Sequence, residues 1–379
     1  MTILVLNAGS ATLKFRVFEN TKERVAGSVE RIGLHDSFIT LNQHGASQQL
    51  TARKITDHTE ALRLVSLALR ETLAEDKQTI DVIGHRVVHG GEEFVHPTRV
   101  TRTVLGRLEK YNEWAPSHNP MELHVLAIAR HMYPQIPHIA IFDTEFYQEL
   151  PEHIYLYALP RALYAKYGIR RYGFHGLSHE YVIREAARLI GKPLKACSFI
   201  SCHLGSGSSV TAFSNGNVID TTMGFSPLEG LTMGTRVGDL DASVPLLLQR
   251  KAHLSEQKVM HVLYKESGLL GISGFSSDMR DILRAAHSTS ASTHTQARKK
   301  RARLARDMYV YDVQRYVGSY FSLMPACDGA IFTGGIGERS VEIRRRILKG
   351  LPRMKHLKTL IIPTNEEQMV AEKIVAMPR

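Results

Sequence analysis

Three glycine-rich turns are the first candidates for chemistry in this 379-residue sequence. They cover residues 7–12, 203–209 and 333–339, and each follows an apolar, strand-like stretch. Glycine lets the backbone approach a phosphate closely, and successive N–H groups in such a turn bind anions. Each turn alone could be a plain structural turn, but three in one chain favour phosphate binding.

Cationic and acidic side chains occur in similar segments. Arg86 and Asp143 each stand at the end of a predicted strand, while His175 and Arg236 stand in glycine-flanked loops. Phosphoryl transfer uses planar arginine donors for the equatorial oxygens, a positioned histidine, and carboxylates that hold Mg²⁺. A single arginine or histidine is more often part of a surface ion pair or a satisfied core group. Arginines inside glycine-rich loops nevertheless favour a site.

Two further charged residues are candidates for the same site. Lys14 follows the first turn and adds a positive charge beside it. Near the C-terminus, Thr364 and Glu367 have the spacing of a helix-capping box, which gives Glu367 a structural role. Glu366 is therefore the better candidate for a metal ligand.

Several familiar nucleotide and nucleophile motifs are absent from the sequence. It contains no GxxxxGK[ST] phosphate loop, no HRD and DFG pair of a protein kinase, and no GxSxG nucleophile elbow. A nucleotide site in this chain must therefore be of another kind.

Composition indicates a globular protein with about two domains. Hydrophobic residues make up 43% and charged residues 22% of the chain, and no apolar run approaches the roughly 18 residues of a membrane span. We expect no signal peptide. The three cysteines, Cys197, Cys202 and Cys327, lack CxxC spacing, which is typical of reduced thiols in a cytoplasmic protein.

The net charge of +11 is compatible with nucleic acid, a membrane surface or small anions as partners. Much of the excess lies in the basic run at residues 297–306, "ARKKRARLAR". We interpret this run as the solvated face of a helix, because no nucleic-acid-binding motif accompanies it.

Strand-like and helical patterns alternate along the chain, which predicts an α/β fold. The expected strands are "TILVLN", "TIDVIGHRVVHG", "HIAIFDT", "ACSFISCHLG" and "DGAIFTGG", and expected helices include "MELHVLAIARHMY" and "SHEYVIREAARLIG". The pattern of strand, Gly-Ser turn and strand around Gly9 recurs around Gly205. This weak repeat predicts two similar halves with a cleft between them.

Ten blocks, in order over nearly the whole chain, resemble the acetate/propionate kinase family of the sugar kinase, Hsp70 and actin superfamily. They are "LNAGSATLKF", "GHRVVHGG", "APSHNP", "IFDTEF", "RRYGFHGLSHEYV", "CHLGSGSSV", "DTTMGFSPLEGLTMGTRVGDLD", "ESGLLGISGFSSDMRD", "IFTGGIGERS" and "PTNEE". The resemblance implies a duplicated, two-domain ribonuclease H-like α/β fold with an active site in the interdomain cleft. Its implied domains are residues 1–147, completed by a C-terminal helix at about 366–379, and residues 148–365, with most of the nucleotide site and the dimer interface.

The resemblance also implies an activity, namely reversible transfer of the ATP γ-phosphoryl group to acetate, giving acetyl phosphate and ADP. Mg²⁺ is the expected cofactor, with Mn²⁺ as a substitute, and ATP or ADP is the co-substrate. The implied protein is a cytoplasmic homodimer that binds neither nucleic acid nor membrane. Propionate or another short-chain carboxylate is the alternative acceptor, and a non-catalytic ATP-binding protein is a more distant alternative.

Roles for individual residues come from the same resemblance. Asn7 and Glu366 match metal positions, and Asp143, His175 and Arg236 match catalytic positions. Substrate-binding positions are matched by Arg86, Val88, His118, Phe174 and Pro227, of which Val88, Phe174 and Pro227 would form the wall of a small acyl pocket. Nucleotide-binding positions are matched by Ser10, Thr12, Lys14, His203, Leu204, Gly205, Ser206, Gly207, Asp278, Met279, Arg280, Gly335, Ile336, Gly337, Glu338 and Arg339.

The chain departs from the family pattern at four of these blocks. Ser206 replaces the usual Asn, Arg339 replaces the usual Asn, and Thr12 replaces the usual Ser. Ser117 replaces the usual Leu and makes one pocket wall smaller and more polar. We therefore expect a larger or more polar acid to be better accepted than in a typical family member.

Because a carboxylate acceptor is already ionised at pH 7, it needs no general base to attack phosphorus. The sequence therefore favours an orienting role for Asp143 over proton abstraction.

Overall fold

The computed structural model describes residues 1–43, 46–51, 54–75, 79–290 and 292–378. Two compact units divide the chain, and one of them is built from two separate segments. The first unit comprises Met1–Gln148 and Asn365–Arg379, and the second comprises Glu149–Thr364. None of the helices in the described part of the chain is long and apolar enough to cross a membrane.

The first unit contains a mixed sheet whose strands run in the spatial order β5-β4-β3-β2-β1-β6-β8-β7. Its strands are β1 (Thr2–Gly9), β2 (Thr12–Glu19), β3 (Lys22–Glu30), β4 (Phe38–Gln43), β5 (Ala46–Thr51), β6 (Val82–Val87), β7 (Thr98–Arg99) and β8 (His138–Phe142). Its α-helices are α1 (His58–Glu75), α2 (Arg102–Leu108), α3 (Asn119–Met132) and the C-terminal α14 (Glu366–Val375). A 3₁₀ turn at Asp143–Tyr147 follows β8 directly.

The second unit contains a smaller sheet with the strand order β11-β10-β9-β12-β13. These strands are β9 (Ser198–Leu204), β10 (Ser208–Ser214), β11 (Asn217–Thr221), β12 (Gly329–Thr333) and β13 (Lys358–Ile361). The α-helices are α4 (Glu152–Tyr155), α5 (Arg161–Tyr167), α6 (Gly176–Ile190), α7 (Ser243–Lys251), α8 (Glu256–His261), α9 (Gly268–Ser273), α10 (Met279–Ala286), α11 (Thr293–Leu323), α12 (Gly334–Arg339) and α13 (Val341–Lys349).

The two sheets share one topology. In each, the first two strands of the sheet form an antiparallel hairpin, and a parallel strand pairs with the other edge of the hairpin's first strand. The hairpin β1–β2 is followed by parallel β6 and β8, and the hairpin β9–β10 is followed by parallel β12 and β13. The repeat around Gly9 and Gly205 therefore reflects a real duplication of the fold.

The predicted strands and helices are confirmed as β1, β6, β8, β9 and β12, and as α3 and α6. The apolar run of β1 is continuous because this strand is central, with Ile3, Leu4, Val5 and Leu6 all buried. The third glycine-rich segment differs from expectation. Instead of a turn, residues 334–339 form α12, which begins directly after β12.

The C-terminal helix α14 packs closely against β6 in the first unit. A Cβ atom on Gly84 would lie 2.6 Å from Ile374 Cδ1 and 2.8 Å from Val370 Cγ1. Both side chains belong to α14 and are buried. Glycine at position 84 therefore lets the last helix pack against the strand that carries Arg86, two residues further along.

We expect Gly84→Val to lower the free energy of unfolding by about 1–3 kcal/mol, because the added side chain overpacks the contact with α14. Gly106→Val is the matched control, since a Cβ at Gly106 meets no atom within 4 Å. Urea denaturation of both variants measures the difference. Equal midpoints for the two variants would contradict the packing role of Gly84.

Candidate active site

Arg86 is the centre of a charged cluster in the first unit. Its Nε and Nη2 atoms donate to Asp143 Oδ1 and Oδ2 at 3.0 and 2.7 Å, which is a bidentate pair. Its Nη1 atom donates to Glu366 Oε2 at 2.8 Å. Only 15% of the Arg86 side chain and 1% of the Asp143 side chain are exposed. The guanidinium plane is thus fixed by two carboxylates from different parts of the chain.

Asn7 joins this cluster to the start of α14. Its Nδ2 atom donates to Glu367 Oε1 at 2.7 Å and to Glu366 Oε2 at 3.2 Å. The capping-box prediction for Thr364 and Glu367 is wrong, because Asn365 is the N-cap and its side chain accepts from the Gln368 N–H. Glu367 is instead buried against Asn7, and both acidic residues in the first turn of α14 belong to the cluster.

Burial and charge act in opposite directions on this cluster. Burial alone would lower the pKa of Arg86, but the charges of Asp143 and Glu366 outweigh it and raise that pKa well above its ordinary value. Glu122 behaves differently, because burial raises the pKa of its carboxyl to about 8 although Arg86 opposes the shift. At neutral pH the cluster therefore combines a permanently charged arginine with a mostly protonated Glu122.

The donor set around Asn7 fits a small hard cation. Amide and carboxylate oxygens are the ligands that Mg²⁺ prefers, and Mg²⁺ commonly binds one or two protein groups together with phosphate oxygens and water. Asn7 and Glu366 supply one group of each type and are within hydrogen-bond distance of each other. Within the described ranges, no group of three or more His, Cys, Asp or Glu side chains is arranged to hold a metal ion.

The first glycine-rich turn is the β1–β2 hairpin turn. Lys14 is paired in register with Asn7, so both side chains lie on the same face of the sheet, and Lys14 is exposed. Ser10 is exposed and Thr12 is half-buried. The ring of His58 hydrogen-bonds with the Gly9 carbonyl at 2.8 Å and supports the turn.

Three histidines form a second cluster, in the second unit. The rings of His175 and His203 stack with centroids 4.3 Å apart. Ser209 Oγ lies 2.8 Å from both His175 Nδ1 and His179 Nε2, so this hydroxyl donates to one ring and accepts from the other. His203 Nδ1 lies 2.7 Å from Ser178 Oγ. Burial, assisted by the neighbouring His203, lowers the pKa of His179 well below its ordinary value.

His175 has a strained backbone at the start of α6. Its φ of 56° lies in the left-handed region, which is energetically unfavourable for a residue with a β-carbon. The residue is the N-cap of α6, and this conformation aims the ring at Ser209 and Gly207. A Cβ on Gly207 would lie 3.1 Å from His175 Nε2 and 3.6 Å from Arg236 Nη2. The second glycine-rich turn thus passes beside two predicted catalytic residues.

The other glycine-rich segments of the second unit converge on the same turn. The Gly234 N–H donates to the Ser206 carbonyl at 2.9 Å. A Cβ on Gly205 would lie 3.8 Å from the Gly335 N atom, and one on Gly335 would meet nothing within 4 Å. The predicted nucleotide segments 203–207 and 335–339 are therefore neighbours, and Ser277, next to the 278–280 segment, lies beside Gly234.

Side chains within these segments have distinct surroundings. Leu204 and Met279 are buried in the hydrophobic core, so only their backbones are available to a ligand, whereas Ile336 is partly buried against that core. Gly337 is buried and Ser206 is exposed. Glu338 Oε1 accepts from the N–H groups of Gly334 and Thr364, at 2.9 and 3.2 Å. Asp278 caps α10 and pairs with the exposed Arg280, and Arg339 is exposed.

The predicted acid-binding residues are divided between the units. Val88 and His118 belong to the first unit, where Val88 is buried and His118 is the N-cap of α3. Phe174 and Pro227 belong to the second unit, and both are buried. The Pro227 carbonyl accepts from Arg236 Nη1 at 2.7 Å, which links that proline to a predicted catalytic residue.

Sequence reasoning missed several residues of both clusters. His179 and Ser178 follow His175 at helical spacing, and this i, i+3, i+4 pattern at the start of a predicted helix was an available signal. Glu122 gave no signal of its own, and Ser209 was included only as the end of the second glycine-rich turn, because their roles depend on contacts between elements distant in sequence.

Comparison with known proteins places the chain in one family. The profile of the acetokinase family matches residues 2–356. The acetate kinase of Bacillus subtilis (strain 168) is 42% identical, covering 100% of this chain and 99% of the relative. Among solved structures, a propionate kinase from Francisella tularensis subsp. tularensis SCHU S4 superposes with a TM-score of 0.86 at 32% identity, and the Porphyromonas gingivalis acetate kinase with 0.80 at 34%. Each comparison covers 98% of both chains.

The duplicated fold and these relatives define a phosphotransferase of the actin, Hsp70 and sugar-kinase type, which confirms the predicted fold class. Its acceptor is a carboxyl group. The chain belongs to the acetokinase family, as the sequence blocks indicated. Membership implies ATP or ADP as the co-substrate and a small molecule as the acceptor.

The raised pKa of Glu122 leads to a pH-dependent stability difference. The folded chain keeps a proton on Glu122 up to a pH of about 8, whereas the unfolded chain releases it near its ordinary pKa of 4.5. The wild type therefore loses stability relative to Glu122→Gln as pH rises through this window, by up to about 1.4 kcal/mol per pH unit. Urea midpoints of both proteins at pH 5, 6, 7 and 8 measure it. A constant difference across these values would contradict the shift.

Proposed function

We propose that this protein is an acetate kinase that transfers the γ-phosphoryl group of ATP reversibly to acetate. The observation that carries the proposal is the fixed guanidinium of Arg86, held by Asp143 and Glu366 with its side chain 15% exposed. A planar, pre-oriented arginine suits recognition of a second planar anion such as a carboxylate. A protein that only binds ATP has no need of this group.

Asp143 orients Arg86 in the proposed mechanism. Both of its carboxylate oxygens already accept from the guanidinium, at 3.0 and 2.7 Å. The acceptor acid is ionised at neutral pH and has no proton to give up. Asp143 therefore acts through Arg86, by holding the plane and position of its donors, and not as a general base.

The main obstacle to the reaction is repulsion between an anionic nucleophile and the charged end of ATP. Arg86 and Arg236 supply positive charge, and these arginines and the His175–His203 pair supply hydrogen-bond donors. Fixed donors need no rearrangement when the transition state forms. The strained backbone of His175 and the stacking against His203 keep the ring in place. We propose that these residues hold the reactants for in-line attack.

Mg²⁺ is the proposed cofactor, with Mn²⁺ as a substitute, and Asn7 and Glu366 would hold it. When bound, the ion supplies charge neutralisation at the phosphate oxygens. Lys14, on the same face as Asn7, would contact the phosphates together with Ser10 and Thr12. We place the nucleotide against the converging glycine-rich segments 203–207 and 335–339.

Direct transfer, without a phosphoenzyme, follows from an acceptor that is itself the nucleophile. Incubation with labelled ATP in the absence of acid tests this step. An acid-stable or hydroxylamine-sensitive phosphoprotein that passes its label to acetate at a competent rate would contradict direct transfer.

The activity is tested by trapping the acyl phosphate with hydroxylamine in the presence of ATP, Mg²⁺ and acetate. We expect hydroxamate formation by the wild type and a loss of about 100-fold in kcat/KM for Arg86→Lys, because lysine cannot form the bidentate contacts. Arg99→Lys, at an exposed position of β7, is the matched control. The absence of hydroxamate with every acid tested would contradict the proposed function.

Propionate or another short acid is the alternative acceptor, favoured by Ser117. This residue lies in the turn before α3, where the His118 N–H donates to the Ala115 carbonyl at 2.9 Å. One methylene in an apolar pocket is worth about 1–3 kcal/mol, so one residue can change the preferred acid.

We expect propionate turnover at least comparable with that of a typical family member, and a shift of up to about tenfold towards acetate in Ser117→Leu. The same assay with formate, acetate, propionate and butyrate measures both. Ser117→Ala separates the loss of the hydroxyl from the gain in size. A strong preference for acetate over propionate that Ser117→Leu leaves unchanged would contradict the prediction.

We also propose a cytoplasmic homodimer with no nucleic-acid or membrane partner. Leu304, Met308 and Tyr311 recur at helical spacing on one face of α11 and are 54%, 42% and 62% exposed, which supports a protein partner on this helix. Light scattering of the purified chain measures its oligomeric state. A monomer at micromolar concentration would contradict the dimer.

A further inference from the structure

The segment that follows β6 is held by side chains of α3. The Val88 N–H donates to Glu122 Oε2 at 2.8 Å, and the His89 N–H donates to Asn119 Oδ1 at 3.0 Å. Asn119 Nδ2 returns a hydrogen bond to the His89 carbonyl at 2.9 Å. All four residues are at most 4% exposed. We call these two side chains, Asn119 and Glu122, the α3 clamp.

The α3 clamp satisfies buried backbone groups that have left the sheet. Beyond Val87, the last residue of β6, the chain turns away and its N–H groups need other partners. A buried N–H without an acceptor costs about 1–3 kcal/mol, so removal of the acceptor forces the segment to move. The clamp therefore decides where Val88 lies relative to Arg86, two residues earlier.

The first turn of α3 connects two proposed acid-binding residues of the first unit. His118 is the N-cap of α3, Asn119 and Glu122 lie in its first turn, and Val88 is the residue that Glu122 holds. The aromatic rings of Tyr111 and Trp114, 5.8 and 5.2 Å from the His89 ring, support the segment from another side. Movement of the clamp would thus alter the acyl site without touching Asn7 or Lys14.

We propose that Glu122 is a positioning residue for the acid substrate, acting as a hydrogen-bond acceptor that fixes Val88. The inference rests on the proposed function, and it assigns to acid recognition a residue that touches no reactant. Arg86 is paired with Asp143 and Glu366, so it does not need Glu122 as a counter-ion. The raised pKa of Glu122 agrees with an acceptor that is neutral during catalysis.

Two substitutions at position 122 separate the acceptor from the charge. Glu122→Gln keeps an acceptor oxygen in nearly the same place and removes the charge, whereas Glu122→Leu removes both. We expect Glu122→Leu to raise the KM for acetate about 10- to 100-fold. The KM for ATP with Mg²⁺ should stay within about twofold, because the nucleotide segments lie elsewhere. Glu122→Gln should keep the KM for acetate within about threefold of the wild type.

Val125→Ala is the control for general loss of stability. This buried residue lies on the same helix and belongs to the core around β1, and it does not contact the 88–89 segment through a hydrogen bond. We expect it to lower the unfolding midpoint and leave both KM values unchanged. If Glu122→Leu fails to fold, Glu122→Asp tests the same contact, because its shorter side chain retracts the acceptor from the Val88 N–H.

Each outcome of the hydroxamate assay supports or overturns the inference. A raised acetate KM in Glu122→Leu or Glu122→Asp, rescued by Gln, supports the positioning role. An acetate KM in Glu122→Leu and Glu122→Asp equal to that of Val125→Ala would overturn it. An acetate KM in Glu122→Gln as high as that of Glu122→Leu would also overturn it, because the charge of Glu122 would then be essential. Failure of the wild type itself to form hydroxamate would refute the proposed function instead, and the two failures are therefore distinguishable.

Discussion

The structure of the first unit depends on the pairing of a buried guanidinium with carboxylates. Arg86 leaves the end of a central parallel strand where little water reaches it, and an unpaired charge there would be strongly destabilising. Asp143, directly after the neighbouring strand β8, and Glu366, at the start of the C-terminal helix, meet this requirement. The same contacts orient the guanidinium plane, so one set of interactions both stabilises the unit and orients the group for which we propose anion binding.

In the second unit, neutral groups hold the side chains of the proposed site in place. Its histidines are linked through serine hydroxyls, and each hydroxyl can donate to one partner and accept from another. His179 stays neutral because burial disfavours its charged form. The network therefore holds His175 without adding negative charge near the proposed phosphate site. A carboxylate in that position would fix the ring equally well but would repel the substrate.

The sequence was sufficient for much of the fold and for part of the site. Central strands such as β1 and β9 are continuous apolar runs that end in glycine-rich turns, and such local patterns are readable from one chain. The contacts of Glu367 and Glu122 were not readable. Thr364 and Glu367 have the spacing of a capping box, but the carboxylate of Glu367 accepts a hydrogen bond from the buried amide of Asn7 instead. Roles that depend on packing between distant segments cannot be predicted from the spacing of residues within one segment.

The chain order of the first unit has a consequence for biosynthesis. Glu366 is translated 280 residues after its partner Arg86, and α14 is the last helix of the described chain to leave the ribosome. Until then the nascent first unit holds its arginine with Asp143 alone, and the surface made by Gly84 is uncovered. Because the second unit is synthesised in the interval, it can complete its own sheet before the first unit closes. A chain whose synthesis stops before α14 would therefore lack one of the two carboxylates that pair with Arg86.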